Sequence, residues 1–453
     1  MNPPAPDPEK PILRVDCDAV VDPVGGVVGC CLLAERVENL SGGERPLAWR
    51  VLAVGEAGEV GRHPAAAAAQ RLDRRGSVVF PGLVNAHTHL DLTHIGPRPH
   101  DPGDGFVAWV DMIRRERRRE EEGPGGIAAS VRRGLELCEA GGTVAVGDIA
   151  GSPQGRYTLA PWRLLRDSAL MGVSYVEGFG IGRNWQQLRA GLEEFVERYS
   201  AEFSRAAGGR ARLGLQPHAP NTVDLRHYEW CIGLAERLGT PLATHLAETM
   251  EEREFVARAA GPQRALLERL GVWDESILEH IGRGLHPVRH MQSVLTRRPF
   301  LVAHCNDATD EAIDVLAGTG TSVAYCPRAS EYFGAARHFG PHRYRDMLRS
   351  GVNVCLGTDS LVNLPPGAAD PAQDGMSVLD EMRLLYRRDG ADAMELLRMG
   401  TVHGAKGLGF DRGAWRVAEG GTVAGLCCAA AAPGDRERAF ERVLRGAAPA
   451  RLL

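Results

Sequence analysis

Residues 81–94 read "PGLVNAHTHLDLTH", from Pro81 to His94. An apolar, strand-like run ordinarily excludes imidazoles, yet this one carries His87, His89 and His94. Side chains two apart on a strand point to the same face, so His87 and His89 can bind one metal ion together. Seven further apolar runs follow: "TVAVGDI", "GVSYVEGF", "ARLGLQPH", "PLATHLAE", "FLVAHC", "SVAYCPR" and "VNVCLGTDS". Amphipathic stretches such as "GIAASVRRGLELCEAG" and "LRHYEWCIGLAERLG" lie between them. Eight strands alternating with helices predict an α/β chain folded as a parallel (β/α)8 TIM barrel.

Both chain ends are β-rich and punctuated by glycine: "ILRVDCDAVV", "GGVVGCCLLAERV" and "WRVLAVGEAG" near the start, "GAWRVAEGGTVAGLCCAAAA" near the finish. They predict a small β-sandwich domain formed from both ends. The expected division is 1–80 and 411–453 for the two parts of that domain, with 81–410 for the barrel.

A net charge of -5 across 453 residues offers no clustered positive field, so nucleic acid and anionic membrane are not expected partners. A small-molecule substrate fits better, and a homo-oligomer is left open. No signal peptide and no apolar run of membrane-spanning length appears, which predicts a cytoplasmic protein. The ten cysteines show no spaced framework and no CxxC pair, so buried free thiols are expected. Lysine occurs only at Lys10 and Lys406. The run "RRERRREEE" at 114–122 pairs opposite charges at helical spacing and predicts a solvated helix face.

Most of the predicted strands end in a residue capable of chemistry: His87 and His89, Asp148, Glu177, His218, His245, His304, Arg328 and Asp359. In such barrels the active site lies at that face. In "THLAETMEE" the segment from Thr249 fits a capping box, so a helix should start there, leaving Glu248 in the connecting turn and free to reach inward. Each residue also has a plainer reading: a hydrogen-bonded core pair for His87 and His89, a solvated Glu248, a helix N-cap for Asp359, structural salt bridges for Glu177 and Arg328.

Taken in order, "PGLVNAHTHL", "HAPNTV", "HLAET", "VAHC", "CPRAS" and "GTDSL" resemble the metal-dependent amidohydrolase superfamily, specifically its aminohydrolase branch of cytosine, guanine, S-adenosylhomocysteine and aminofutalosine deaminases with the triazine chlorohydrolases. The resemblance implies one divalent metal ion, Zn2+ first and Fe2+ as the alternative, held by His87, His89, His245 and Asp359. It places Glu248 and His304 beside the reacting water and His218 toward the substrate. Glu248 would shuttle a proton to a ring nitrogen and the leaving amine, Asp359 would take the second proton, and His304 would orient the nucleophile. Glu177 and Arg328 are the candidate contacts to the base or its ribosyl substituent.

Members of the superfamily with two metals bridge them by a carboxylated lysine at the end of the fourth strand, where this chain has His218. The implied activity is hydrolysis of a non-peptide C–N bond, deaminating an aminated heterocycle of the aminofutalosine or adenosine type. The alternatives are a chlorohydrolase or cyclic-amide hydrolase on the same site, and a barrel scaffold without catalysis. The chain departs from the family pattern in "LVNLPPGAADPAQDG" after Ser360, expected as a flap over the catalytic face, and in "EGGTVAGLCC" near the end.

Overall fold

The computed structural model describes residues 11–37, 48–117, 126–152, 155–373 and 375–453. Lys10 and residues 118–122 of the Arg/Glu run lie outside them. β1 (Ile12–Asp22) alternates half-buried and buried residues over most of its length, the pattern of a strand with one face on a core. It turns into β2 (Gly26–Arg36) through a hairpin in which Asp22 Oδ2 accepts from the backbone of Val24 and Gly25, and Gly26 takes φ +76. β3 (Trp49–Gly55) and β4 (Gln70–Pro81) follow.

Gly82 then leads into the first of two parallel sheets. A Cβ at Gly82 would stand 2.3 Å from Val144 Cγ1, and its carbonyl accepts from the buried indole of Trp415 at 2.9 Å. β5 (Leu83–Thr88), β6 (Thr143–Ala150), β7 (Met171–Gly178) and β8 (Ala211–Pro217) form one four-stranded parallel sheet. β9 (Ala243–Leu246), β10 (Leu301–His304), β11 (Ser322–Tyr325) and β12 (Asn353–Leu356) form the other. Apart from half-buried Met171 and Arg212, these strands are buried throughout, which is why they read as continuous apolar runs. Val84, Ala145, Val173, Ala243, Leu301, Ala324 and Cys355 gather in one buried cluster. The edges of the sheets meet twice, at a bridge between Leu215 and Leu242 and at one between Thr88 and Asp359. Beside the second, Asn85 Nδ2 donates to Thr358 Oγ1 at 2.8 Å and Asn85 Oδ1 accepts from Thr358 N at 3.0 Å.

β13 (Thr422–Val423), β14 (Leu426–Ala430) and β15 (Arg451–Leu452) return to the first four strands, giving one seven-stranded sheet in the order β13-β3-β2-β1-β4-β14-β15. Among the described residues, the C-terminal strands thus extend the N-terminal sheet edge to edge, and both chain ends contribute to it. β4 pairs in parallel with β1 on one side and antiparallel with β14 on the other, so β14 satisfies the edge of β4. All ten cysteines are free and all but Cys30 are buried. Among the described residues, no helix is long and apolar enough to cross a membrane.

The inserted segment after Ser360 does two things. Leu361–Asn363 is buried, and Val362 packs with Leu92, Ile95 and Ile113. Farther on, the carbonyl of Ala369 accepts from Arg133 at 3.0 Å, and those of Ala372 and Gln373 accept from Arg451 at 2.9 and 2.7 Å. The second half is thus tied to helix Ile127–Ala140 and to β15, contrary to the flap expected over the catalytic face. Deleting Pro365 to Gln373 should therefore leave KM unchanged and cost about 1–3 kcal/mol of stability, the scale of a few lost hydrogen bonds. Thermal unfolding with parallel kinetics checks this.

Candidate active site

The C-terminal ends of β5, β9, β10 and β12 bring His87, His89, His245, His304 and Asp359 together, all buried. His89 Nε2 and His245 Nε2 face each other at 3.2 Å, and Asp359 Oδ1 lies 3.6 Å from His87 Nε2 and 3.5 Å from His89 Nε2. The candidate ligand atoms of His87, His89 and His245 lie within 4.8 Å of one another, as do those of His87, His304 and Asp359.

His245 Nδ1 lies 3.1 Å from the carbonyl of His218, which can only accept, and 3.1 Å from the side-chain amide of Gln216, whose oxygen is otherwise unpartnered and can be turned to the same proton. Nδ1 therefore carries the proton and Nε2 presents its lone pair to the cluster. Burial holds His89 and His245 well below the usual imidazole range, so both rings stay neutral. His87 Nε2 is enclosed and has no hydrogen-bond partner. Neutral imidazoles, one orphaned nitrogen and a carboxylate, in two groups that share His87, form a donor set that fits a divalent transition metal.

The backbone is strained where it turns these groups inward. His304 takes φ +73 and Asp359 φ +58, unusual for residues other than glycine. Each has support: the carbonyl of His304 accepts from His342 Nε2 at 2.9 Å, and Asn363 Nδ2 donates to Asp359 Oδ2. Burial opposes the charge on Asp359, but the imidazoles of His87, His304 and His89 outweigh it and lower its carboxyl to about 2.

Glu248 stands in the turn after β9, with Oε1 3.5 Å from His304 Nε2. Its carboxyl is held well above the usual range by burial, then by the negative charges of Asp359, Glu252 and Glu251. The predicted helix start is present. Thr249 caps helix Met250–Arg258 by accepting from the backbone of Glu252. Glu252 in turn accepts from the amides of Ala247 at 2.8 Å and Glu248 at 2.7 Å. Burial pushes the Glu252 carboxyl up to about 7 against those amides. Glu252→Gln turns an NH2 group toward one of the two amides. It should lower kcat about tenfold with KM little changed, the scale of one lost hydrogen bond to a charged group; steady-state kinetics reads this directly.

A cavity of about 910 Å3 opens beside the cluster, with His89, Arg117, Glu177 and His218 among its polar lining and Trp109, Ile113, Phe179 and Leu266 among its apolar lining. His218 Nδ1 lies 2.6 Å from Thr222 Oγ1, and burial lowers the ring's pKa to about 3. Asp148 supports the site from behind, accepting from the amide of Leu90 at 3.2 Å. His94, the third histidine of the opening motif, stands apart and donates from Nε2 to the carbonyl of Glu116, at the end of helix Phe106–Glu116.

Two arginines are held by buried carboxylates. Arg328 gives its guanidinium to the buried Glu381 at 2.5 Å and to the carbonyl of Ser377 at 2.9 Å, the ion pair of its plainer reading. Arg117 leaves the solvated face predicted for its run and turns inward, because Asp91 and Glu177 await it at 2.9 and 3.2 Å. Asn363 and His342 carried no local signal, whereas Glu252 occupied the fourth position of a capping box already visible at Thr249.

Residues 78–421 match the model of the amidohydrolase family. The 5-methylthioadenosine/S-adenosylhomocysteine deaminase of Natronomonas pharaonis is 30% identical over 392 residues, 83% of this chain and 78% of that one. The aminodeoxyfutalosine deaminase of Deinococcus radiodurans is 30% identical over 307 residues, 64% of this chain and 66% of that one. The crystal structure of Helicobacter pylori aminofutalosine deaminase shares the fold, with a TM-score of 0.72 over 98% of both chains at 18% identity. The match begins in β4, takes in every residue of the histidine and carboxylate cluster and ends just before β13: the chain belongs to the amidohydrolase family.

Proposed function

We propose that this protein is a metal-dependent hydrolytic deaminase of a purine nucleoside-like substrate, of the adenosine or aminofutalosine type. The observation that carries the reading is a protonatable Glu248 facing His304 at 3.5 Å, beside the His87, His89, His245 and Asp359 cluster. The naming of relatives as nucleoside deaminases supports it. In the same reading residues 81–410 form the hydrolase unit, with 1–80 and 411–453 as the parts of the smaller one. The bridges at Leu215–Leu242 and Thr88–Asp359 support a closed ring of eight strands.

His87, His89, His245 and Asp359 would hold one divalent ion, Zn2+ in our reading with Fe2+ as the alternative. Such an ion, when bound, supplies acidification of water toward neutral pKa. The remaining chemistry belongs to the side chains. His304 orients the attacking water from Nε2. Glu248 takes the water's first proton at Oε1 and passes it to the ring nitrogen. Asp359 accepts the second proton from the attacking oxygen and gives it up to the departing amine as the C–N bond breaks, so one proton of the water ends on the ring nitrogen and the other in ammonia. Glu177 and His218 face the substrate from the cavity wall.

The test is ammonia release by the metal-loaded protein from adenosine, 5-methylthioadenosine, S-adenosylhomocysteine and aminofutalosine, with chloride release from chlorotriazines as the competing outcome. Turnover of a nucleoside supports the reading, and chloride release without ammonia overturns it.

A further inference from the structure

Arg117 is the first residue beyond helix Phe106–Glu116. Its Nε donates to Asp91 Oδ2 and its Nη2 to Glu177 Oε2, and both carboxylates are buried. This seat exists only because residue 151 is glycine: a Cβ there would stand 1.5 Å from Nη2 and 2.6 Å from Asp91 Oδ2. The helix that Arg117 terminates contributes Trp109 and Ile113 to the cavity wall. Its first amide, at Phe106, donates to Glu251 Oε1 at 2.8 Å, and the carbonyl of Glu116 accepts from His94 at 2.8 Å. The wall is therefore tied at one end to the first turn of helix Met250–Arg258, and at the other to the segment Leu90–Ile95 after β5 and to the end of β7.

Glu177 has one oxygen committed to Arg117. The other, Oε1, lies 3.9 Å from His218 Nε2, too far for a hydrogen bond between them. Both residues line the cavity, so Oε1 is available to accept from a donor on the substrate, such as a sugar hydroxyl.

We infer that Arg117 is a positioning residue for substrate binding: it aims the Glu177 carboxylate into the cavity and fixes helix Phe106–Glu116 as the cavity wall. A guanidinium suits the task because its planar fork meets two carboxylates at once, which an ammonium does not.

Two variants reach the same interaction from opposite sides. Arg117→Met removes the ion pairs. Gly151→Ala removes no polar group but displaces the guanidinium. Each should raise KM for the nucleoside by about tenfold or more, the worth of a charge-assisted hydrogen bond to substrate, with kcat changed by less than about threefold. The double variant should be no worse than the worse single, since both remove one interaction. Arg117→Lys should fall between Arg117→Met and the parent. Amide hydrogen exchange across 106–116 should quicken in Arg117→Met and Gly151→Ala without any substrate present. Unchanged KM in both, losses that multiply in the double variant, or unchanged exchange in Gly151→Ala would overturn the inference. If Arg117→Met fails to fold, Gly151→Ala carries the test alone. The kinetic arm rests on the deaminase reading. Failure of that reading appears as a parent protein that releases no ammonia, while the exchange arm still decides whether Arg117 fixes the wall.

Discussion

Glu248→Gln should keep its metal and lose turnover by about 10²- to 10⁴-fold, the range set by a positioned proton carrier. The amide preserves the shape of the side chain, so the turn held by Glu252 and Thr249 has no reason to move. What disappears is the group that can take a proton from water and return it to nitrogen. The parent carboxyl is suited to that exchange because burial and three neighbouring carboxylates raise its proton affinity. Elemental analysis and steady-state kinetics on the same preparation check both halves. Near-normal turnover in the variant would move the proton-carrying role to Asp359.

Chelation should abolish turnover and lower the unfolding temperature, and one equivalent of Zn2+ or Fe2+ per chain should restore both. A ligand that binds only the folded state stabilises it by about 4 kcal/mol at a thousandfold excess over Kd. The chelated protein should also become acid-sensitive. Burial lowers His218 and His304 to about 3, with His89 and His245 also held low. These rings therefore bind protons in the unfolded chain below about pH 6.5 that they refuse in the folded one, and their contribution to stability is lost as pH drops toward 3; the raised carboxyls of Glu248 and Glu252 act in the opposite sense over the upper part of that window. Unfolding midpoints across that window, with and without metal, measure the effect. Two tightly bound ions per active chain would refute the single-ion reading.

The strands and the cluster were legible because both are local signals. Each strand is a short apolar run whose last residue changes character, and His87 with His89 declares a shared face within three positions. Long-range choices were not legible. Nothing near Arg117 tells that Asp91 and Glu177 will reach it, or that Gly151 makes room, so a charge run read as solvated. Arg328 sits at a strand end like the reactive residues, yet Glu381, fifty-three positions away, claims it. Alternation in the terminal strands shows that each has one buried face without showing which strand will lie beside it. The inserted segment was assigned to the catalytic face by its starting point, while Arg133 and Arg451 decide where it goes.

The paired hydrogen bonds between Asn85 and Thr358 join residues 273 positions apart in the chain. During synthesis the first strand of the site leaves the ribosome long before its partner exists, so His87 and His89 emerge without Asp359 to face them. Contacts of such long sequence separation form late, because the chain between them must be ordered first. The three imidazoles and the carboxylate can accordingly come together only after β12 has been made, and a nascent chain halted before it holds an incomplete set.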